Sequence, residues 1–153
     1  NNGDLKGYNT DIEGIELSLN MLNVEPSCKA LVFGTGGASK AVSYILKQRN
    51  IAHMVVSRTA ERGDITYNDI TSEIVAEHTL LINTTPLGMS PDIDSAPDID
   101  YGAVSSSHRV FDLVCNPEPT LFMRRCMEGA SAIGGSAMLR CQAEASWRIW
   151  QGL

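Results

Sequence analysis

Residues 31–41, LVFGTGGASKA, constrain the fold more than any other stretch of the chain. A β-branched and aromatic run ends at Gly34, two more glycines follow at Gly36 and Gly37, and a helix with an alanine-rich face begins. A strand that turns through glycines straight into a helix points the free N–H groups of the first helical turn beyond the sheet, where an anion can sit. The first glycine permits the bend and the second lets the backbone approach a pyrophosphate. Gly34, Thr35, Gly36, Gly37 and Ala38 are therefore the residues expected around the phosphates of a dinucleotide. Ser39 stands where a Walker loop requires the glycine before its lysine, so this is not a mononucleotide phosphate loop.

Hydrophobic spacing extends the reading along the chain. Residues 11–22 place Ile12, Ile15, Leu19 and Leu22 on one helical stripe, with Thr10 and Glu13 forming a capping box. This helix precedes the first strand and is expected to pack outside the sheet unit. Strands are predicted at 30–33, 53–57, 80–83, 110–114 and 131–133, and helices at 37–48, 70–77, 120–128 and 136–150. Such alternation defines an α/β fold, a Rossmann-like doubly wound and mainly parallel sheet with helices on both faces. Ligands of these sheets bind beyond the carboxyl ends of the strands, where strand order reverses. The 153 residues fit a single domain with its own core. The loop at 86–101 repeats PDID, at Pro91 and again at Pro97, and reads as solvated and acidic.

A formal net charge of −6 argues against nucleic acid or an anionic membrane as the main partner. Any bound anion must be held by local groups. The longest apolar runs fall short of the roughly 20 residues needed to span a bilayer. The polar start NNGDLKGYNTD has no signal-peptide character, which points to the cytoplasm. Cys28, Cys115, Cys126 and Cys141 lack metal or redox spacing and read as buried thiols of a reducing compartment. His53, His78 and His108 are too scattered for a metal cluster and read as surface or strand-end residues. Trp147 and Trp150 read as core or domain-docking anchors. No G-x-S-x-G elbow supports serine hydrolysis.

The end of the second strand selects the cofactor. An NAD site places Asp or Glu there for the ribose 2′-hydroxyl. This chain has Ser57, Arg58 and Thr59, then Arg62, and no carboxylate before Glu61. Guanidinium forks beside hydroxyls suit a 2′-phosphate, so the residues favour NADP.

Six ordered motifs, GYNTDIEG from Gly7, GTGGASKA from Gly34, SRTAER from Ser57, INTTPLGM from Ile82, DLVCNPEPT from Asp112 and GSAMLRCQA from Gly135, together resemble the shikimate dehydrogenases. The resemblance covers essentially the whole chain, but only the C-terminal, NADP-binding half of such an enzyme. It implies the reversible conversion of 3-dehydroshikimate and NADPH to shikimate and NADP⁺, in aromatic amino-acid (chorismate) biosynthesis. By the same resemblance Asp11 is the aspartate of the catalytic Lys/Asp pair, whose lysine lies in the substrate domain that this chain lacks. The chain alone is accordingly expected to be inactive. Gln142 matches the glutamine that binds a substrate hydroxyl. Thr84, Leu113 and Gly135 match positions near the cofactor, the last two at its nicotinamide end. Cys115 replaces a tyrosine that contributes to substrate binding, and loss of the phenol removes a hydrogen bond. Quinate in place of shikimate is therefore one alternative, and a catalytically inactive NADP-sensing module another. The helices within 1–25 and 136–153 are expected at the junction with the substrate domain. Apolar surface left open there would promote self-association, as a homodimer or otherwise.

Overall fold

The computed structural model describes residues 6–152. Six strands, β1 (Lys29–Phe33), β2 (Ala52–Ser57), β3 (Ile65–Thr66), β4 (Leu80–Asn83), β5 (Arg109–Asp112) and β6 (Ser131–Ile133), form one parallel sheet in the order β3-β2-β1-β4-β5-β6. Strand order reverses between β1 and β4. Five helices accompany the sheet: α1 (Thr10–Met21), α2 (Gly37–Gln48), α3 (Ser72–Glu77), α4 (Leu121–Cys126) and α5 (Gly135–Trp150). The central strands are buried on both faces, as in a sheet sandwiched between helices.

Alternate residues of the strands feed two cores. On one face Ala30, Val32, Leu80, Ile82 and Phe111 meet α1, α2 and Met138 of α5. On the other, Leu31, Phe33, Leu81 and Val110 meet Phe122 and Cys126 of α4 together with Ile74 of α3. The period of two in a strand produces this division.

Several expectations change at this level. α1 does not pack outside the sheet unit: Ile15 and Leu19 are fully buried in the first core, and Gly14 lies so close to α5 that a Cβ there would stand 3.0 Å from the Met138 carbonyl. The stripe was read correctly, but it is satisfied by α2 and α5. Its N-cap is Asn9, whose side chain accepts the Asp11 N–H, while Glu13 pairs with Arg148 of α5 instead of closing a capping box with Thr10. His108 directly precedes β5, in keeping with a strand end, but it and His78 are buried and not on the surface: the His108 ring bonds Val75 O and Ser105 N, and the His78 ring bonds Ile74 O. Only the first PDID is a solvated loop. In the second, Pro97 is buried, Ile99 joins the second core, and Asp100 accepts from Ser72 and from Gly102 N. Cys126 and Cys141 are buried thiols, but Cys28 is half-buried and Cys115 exposed. Trp147 and Trp150 are 60% and 76% exposed, so neither is a core residue.

The edge strand β3 is an addition to the predicted five. Parallel neighbours ordinarily need a crossover of a dozen or more residues, whereas residues 58–64 alone link β2 to β3. Side-chain and backbone bonds replace a helix. Asp64 N donates to Val55 O, and Val55 N donates to the Asp64 carboxylate, both at 2.8 Å. Gly63 fits only because it lacks a Cβ, which would stand 2.6 Å from Val55 O.

Candidate functional site

The glycine turn leaves β1 at the switch point. Gly34 has φ +107°, and a Cβ there would stand 2.7 Å from the Thr84 hydroxyl oxygen. Its N–H donates to Val56 O, tying the turn to β2. On the other side Thr84, just after β4, donates from both its amide and its hydroxyl to Phe33 O, at 2.9 and 2.6 Å. The turn is thus clamped between β2 and β4, and Gly34→Ala is expected to cost about 1–3 kcal/mol through conformational strain and the clash with Thr84. Urea denaturation measures this; an unchanged midpoint would mean that the turn relaxes freely.

Gly36 and Gly37 differ in kind. A Cβ at either would meet nothing within 4 Å, and Gly36 caps α2 without a side-chain hydrogen bond. The fold itself leaves these two positions empty, at the N-terminus of a helix with no acidic residue in its first turn. That cradle, the helix end and the donors described next fit a dinucleotide phosphate.

A cleft of about 590 Å³ opens from this turn between the ends of β2 and β4. Thr35, Arg58, Thr59, Arg62 and Thr84 all line it. Ser57 lines it too but is buried, and its hydroxyl accepts the Thr59 N–H, so it shapes the turn that presents Arg58. Arg58 and Arg62 are exposed, and neither enters an ion pair among the described residues. A larger cavity of about 730 Å³ flanks the outer side of α2 with Lys40, Tyr44, Lys47 and His53, sharing Thr35 and Arg62 with the cleft. The smaller cleft holds the candidate site, because it lies where strand order reverses and contains the glycine turn.

Behind the cleft, a buried network sequence reading did not find joins the ends of β4 and β5. The fully buried Asp112 accepts from Asn83 Nδ2 (3.0 Å) and Val114 N (3.0 Å) on one oxygen and from the Thr120 hydroxyl (2.6 Å) on the other. Burial pushes its carboxyl above the ordinary aspartate range, and these three donors oppose that shift. Asn83 Oδ1 in turn accepts from the amide and hydroxyl of Thr85, fixing the loop that forms one cleft wall. Thr120 also accepts the Met123 N–H and caps α4.

Leu113 and Gly135 meet beside this network. Leu113 N donates to Asn83 O and Gly135 N to Val114 O, and a Cβ at Gly135 would stand 2.2 Å from Leu113 O. Glu118, also missed from sequence, accepts from the amide and hydroxyl of Ser136, and its carboxylate lies where a side chain at Gly134 would be. Cys115 is exposed.

Asp11 and Gln142 form a separate group on the α1–α5 edge. Asp11 is exposed in the first turn of α1. Half-buried Gln142 donates to the hydroxyl of Thr10, the residue preceding Asp11, at 3.2 Å, and Ser146 donates to the same oxygen. The amide is held by a side chain rather than by the backbone. No hydrogen bond among the described residues joins this pair to the cleft.

Fold and cleft together define the class, a dinucleotide-binding domain of the doubly wound type. No protein-family model matches the chain, but individual relatives do. It is 34% identical to the shikimate dehydrogenase (NADP(+)) of Methanococcus aeolicus over 96% of its own length and 58% of that protein's. It is likewise 34% identical to the corresponding protein of Carboxydothermus hydrogenoformans, over 99% of this chain and 60% of the relative. The crystal structure of a chorismate mutase/shikimate 5-dehydrogenase fusion protein from Clostridium acetobutylicum superposes with TM-score 0.85 at 34% identity, over 100% of this chain and 58% of that one. Shikimate 5-dehydrogenase from Thermus thermophilus, in complex with NADP(H) and shikimate, gives 0.82 at 29% identity, over 96% and 58%. The chain is similar to these shikimate dehydrogenases over nearly all of its own length, and it spans about three fifths of the length of the relatives it matches.

Proposed function

We propose that this chain is the NADP-binding domain of a shikimate dehydrogenase, a protein that interconverts 3-dehydroshikimate and shikimate in aromatic amino-acid biosynthesis. NADP(H), when bound, supplies or accepts the hydride. The observation that carries the nucleotide part is the glycine cradle opening onto two cations, Arg58 and Arg62, free of ion pairs among the described residues. Gly34 to Ala38 hold the pyrophosphate. Ser57, Arg58, Thr59 and Arg62 hold the 2′-phosphate. Thr84, Leu113 and Gly135 border the nicotinamide end. Asp11, Cys115 and Gln142 face the substrate, and Asp11 pairs with a lysine that the remaining two fifths of the protein supplies. Free cysteines and the absence, among the described residues, of any helix long and apolar enough to cross a membrane accord with a cytoplasmic location. Leu139, Trp147 and Trp150, exposed along α5, mark the junction with the substrate domain or, without it, a self-association surface.

Calorimetric titration tests the nucleotide site. NADP⁺ is expected to bind at least tenfold more tightly than NAD⁺. Arg58→Ala and Arg62→Ala should each weaken NADP⁺ about tenfold, the low end for a charge-assisted bond at an exposed position, while leaving NAD⁺ nearly unchanged. Equal affinity for the two nucleotides would sink the 2′-phosphate assignment. Turnover is tested in the full-length protein by shikimate-dependent reduction of NADP⁺. Because Cys115 is exposed where a phenol is the family's choice, quinate is the comparison substrate. Turnover of neither, with NADP⁺ still bound, would favour a sensing module.

A further inference from the structure

Tyr67 lines the cleft as well, and none of the six motifs contains it. It lies on the 3-10 turn Tyr67–Asp69 immediately after β3. That turn is rigid: Thr66 and Asp69 form a reciprocal capping box, with the Asp69 carboxylate accepting the Thr66 amide at 2.8 Å and hydroxyl at 2.7 Å. The short β2–β3 connection, stitched by Gly63 and Asp64, sets the turn against the end of β2. The Tyr67 ring stacks on Phe33, the last residue of β1, with centroids 6.2 Å apart and planes 14° apart, and Phe33 is held edge-on by Phe122. The aromatic body is therefore fixed, and it lines the same cleft as the glycine turn, Arg58 and Thr84.

Its hydroxyl is buried and has no hydrogen-bond partner. Buried phenols ordinarily find one, and an orphaned donor on a residue that lines a ligand cleft calls for a group that the ligand brings. We propose that Tyr67 is a cofactor-binding residue whose hydroxyl donates to the adenosine half of the dinucleotide, the half that Arg58 engages through its 2′-phosphate. This rests on the NADP reading of the cleft. Two features favour the adenosine half. Tyr67 follows the edge strand next to β2, on the Arg58 side of the switch point and away from Leu113 and Gly135. The Arg58 guanidinium also acts electrostatically on the phenol. Burial pushes the phenol up to about 12, so it stays protonated as a donor throughout the working pH range.

The test compares wild type with Tyr67→Phe, which keeps the stacked ring and deletes the hydroxyl. The probes are NADP⁺ and adenosine 2′,5′-bisphosphate, each titrated by calorimetry, with thermal unfolding of both proteins in the absence of ligand. The expected result is affinity for both probes lower by about 3- to 10-fold, the worth of one neutral hydrogen bond. The ligand-free melting temperature should be unchanged or raised, because an unsatisfied buried hydroxyl has been removed. A merely structural tyrosine would shift the melting temperature and leave affinity alone, and that outcome overturns the proposal. So does a loss for NADP⁺ with none for the bisphosphate, which would move the contact to the nicotinamide half. Failure of wild type to bind either probe would instead defeat the NADP reading itself.

Discussion

Asp112→Ala is expected to lower stability by about 3–5 kcal/mol, the largest effect of any single substitution behind the cleft. The truncation leaves the Val114 N–H and the Thr120 hydroxyl without acceptors in a fully buried place, and such groups cost about 1–3 kcal/mol each. Asn83 Nδ2 keeps only its longer bond, to Leu87 O at 3.3 Å. In a domain of this size the loss corresponds to a melting temperature lower by about 10 °C. Asp112→Asn separates charge from shape. Its carbonyl can still accept from Asn83 and Val114, and its amide can donate to the Thr120 oxygen, but the Thr120 proton is stranded. A smaller deficit of about 1–2 kcal/mol is expected.

That deficit should depend on pH, with a definite sign. The folded protein raises the Asp112 carboxyl above its value in the unfolded chain, so the folded state holds the proton more tightly. The stability this contributes is complete below the ordinary aspartate value and is lost as pH rises through the raised one. Wild type should therefore outdo Asp112→Asn by most in mildly acidic buffer and by less at neutrality. Urea denaturation of both proteins across that range measures the difference, in which titrations common to the two cancel. A deficit that grows toward neutrality would show that the three donors outweigh desolvation.

The Asp112 network also shows why part of the molecule was opaque in the sequence. Its partners lie 8 and 29 residues away, and a single aspartate at a strand end gives no local sign of either. The glycine turn was legible because everything it needs, from strand to helix N-terminus, falls within eleven consecutive residues. The α1 stripe was legible for the same reason, through Ile15 and Leu19, but the surface that buries it belongs to helices far along the chain. β3 escaped because two residues carry no periodicity, and its short connection depends on Gly63 and Asp64 acting on β2. With β3 hidden, Tyr67 could not be placed in the cleft. Of the two readings of the tryptophans, core or domain-docking anchor, exposure removes only the first. Residue type announces that Trp147 and Trp150 want an apolar neighbour, but it does not say whether this chain provides one. The motif SRTAER was read for its guanidiniums, and the turn that presents them is local, closed by the Ser57 hydroxyl accepting the Thr59 N–H.

Asp11→Asn, made in the full-length protein, is expected to lower turnover by about 10²- to 10⁴-fold, the range for loss of a positioned proton-transfer group. The structure allows the effect to be separated from folding. Asp11 is exposed, and the helix that carries it is capped by Asn9 and anchored by the buried Ile15 and Leu19. Asparagine keeps the size and removes the charge, so stability should change by less than about 0.5 kcal/mol. Loss of the favourable interaction with the N-terminus of α1 accounts for any small deficit. NADP⁺ affinity should be unaltered, because Asp11 lies on the α1–α5 edge with Gln142 and not in the cleft. If Asp11 acts on the proton as proposed, the loss should fall on kcat and leave the KM for NADP⁺ unchanged, which separates that role from cofactor binding. A loss below tenfold, or one matched by an equal fall in NADP⁺ affinity, would remove Asp11 from the reaction and leave it as an ordinary first-turn acid favoured by the helix dipole.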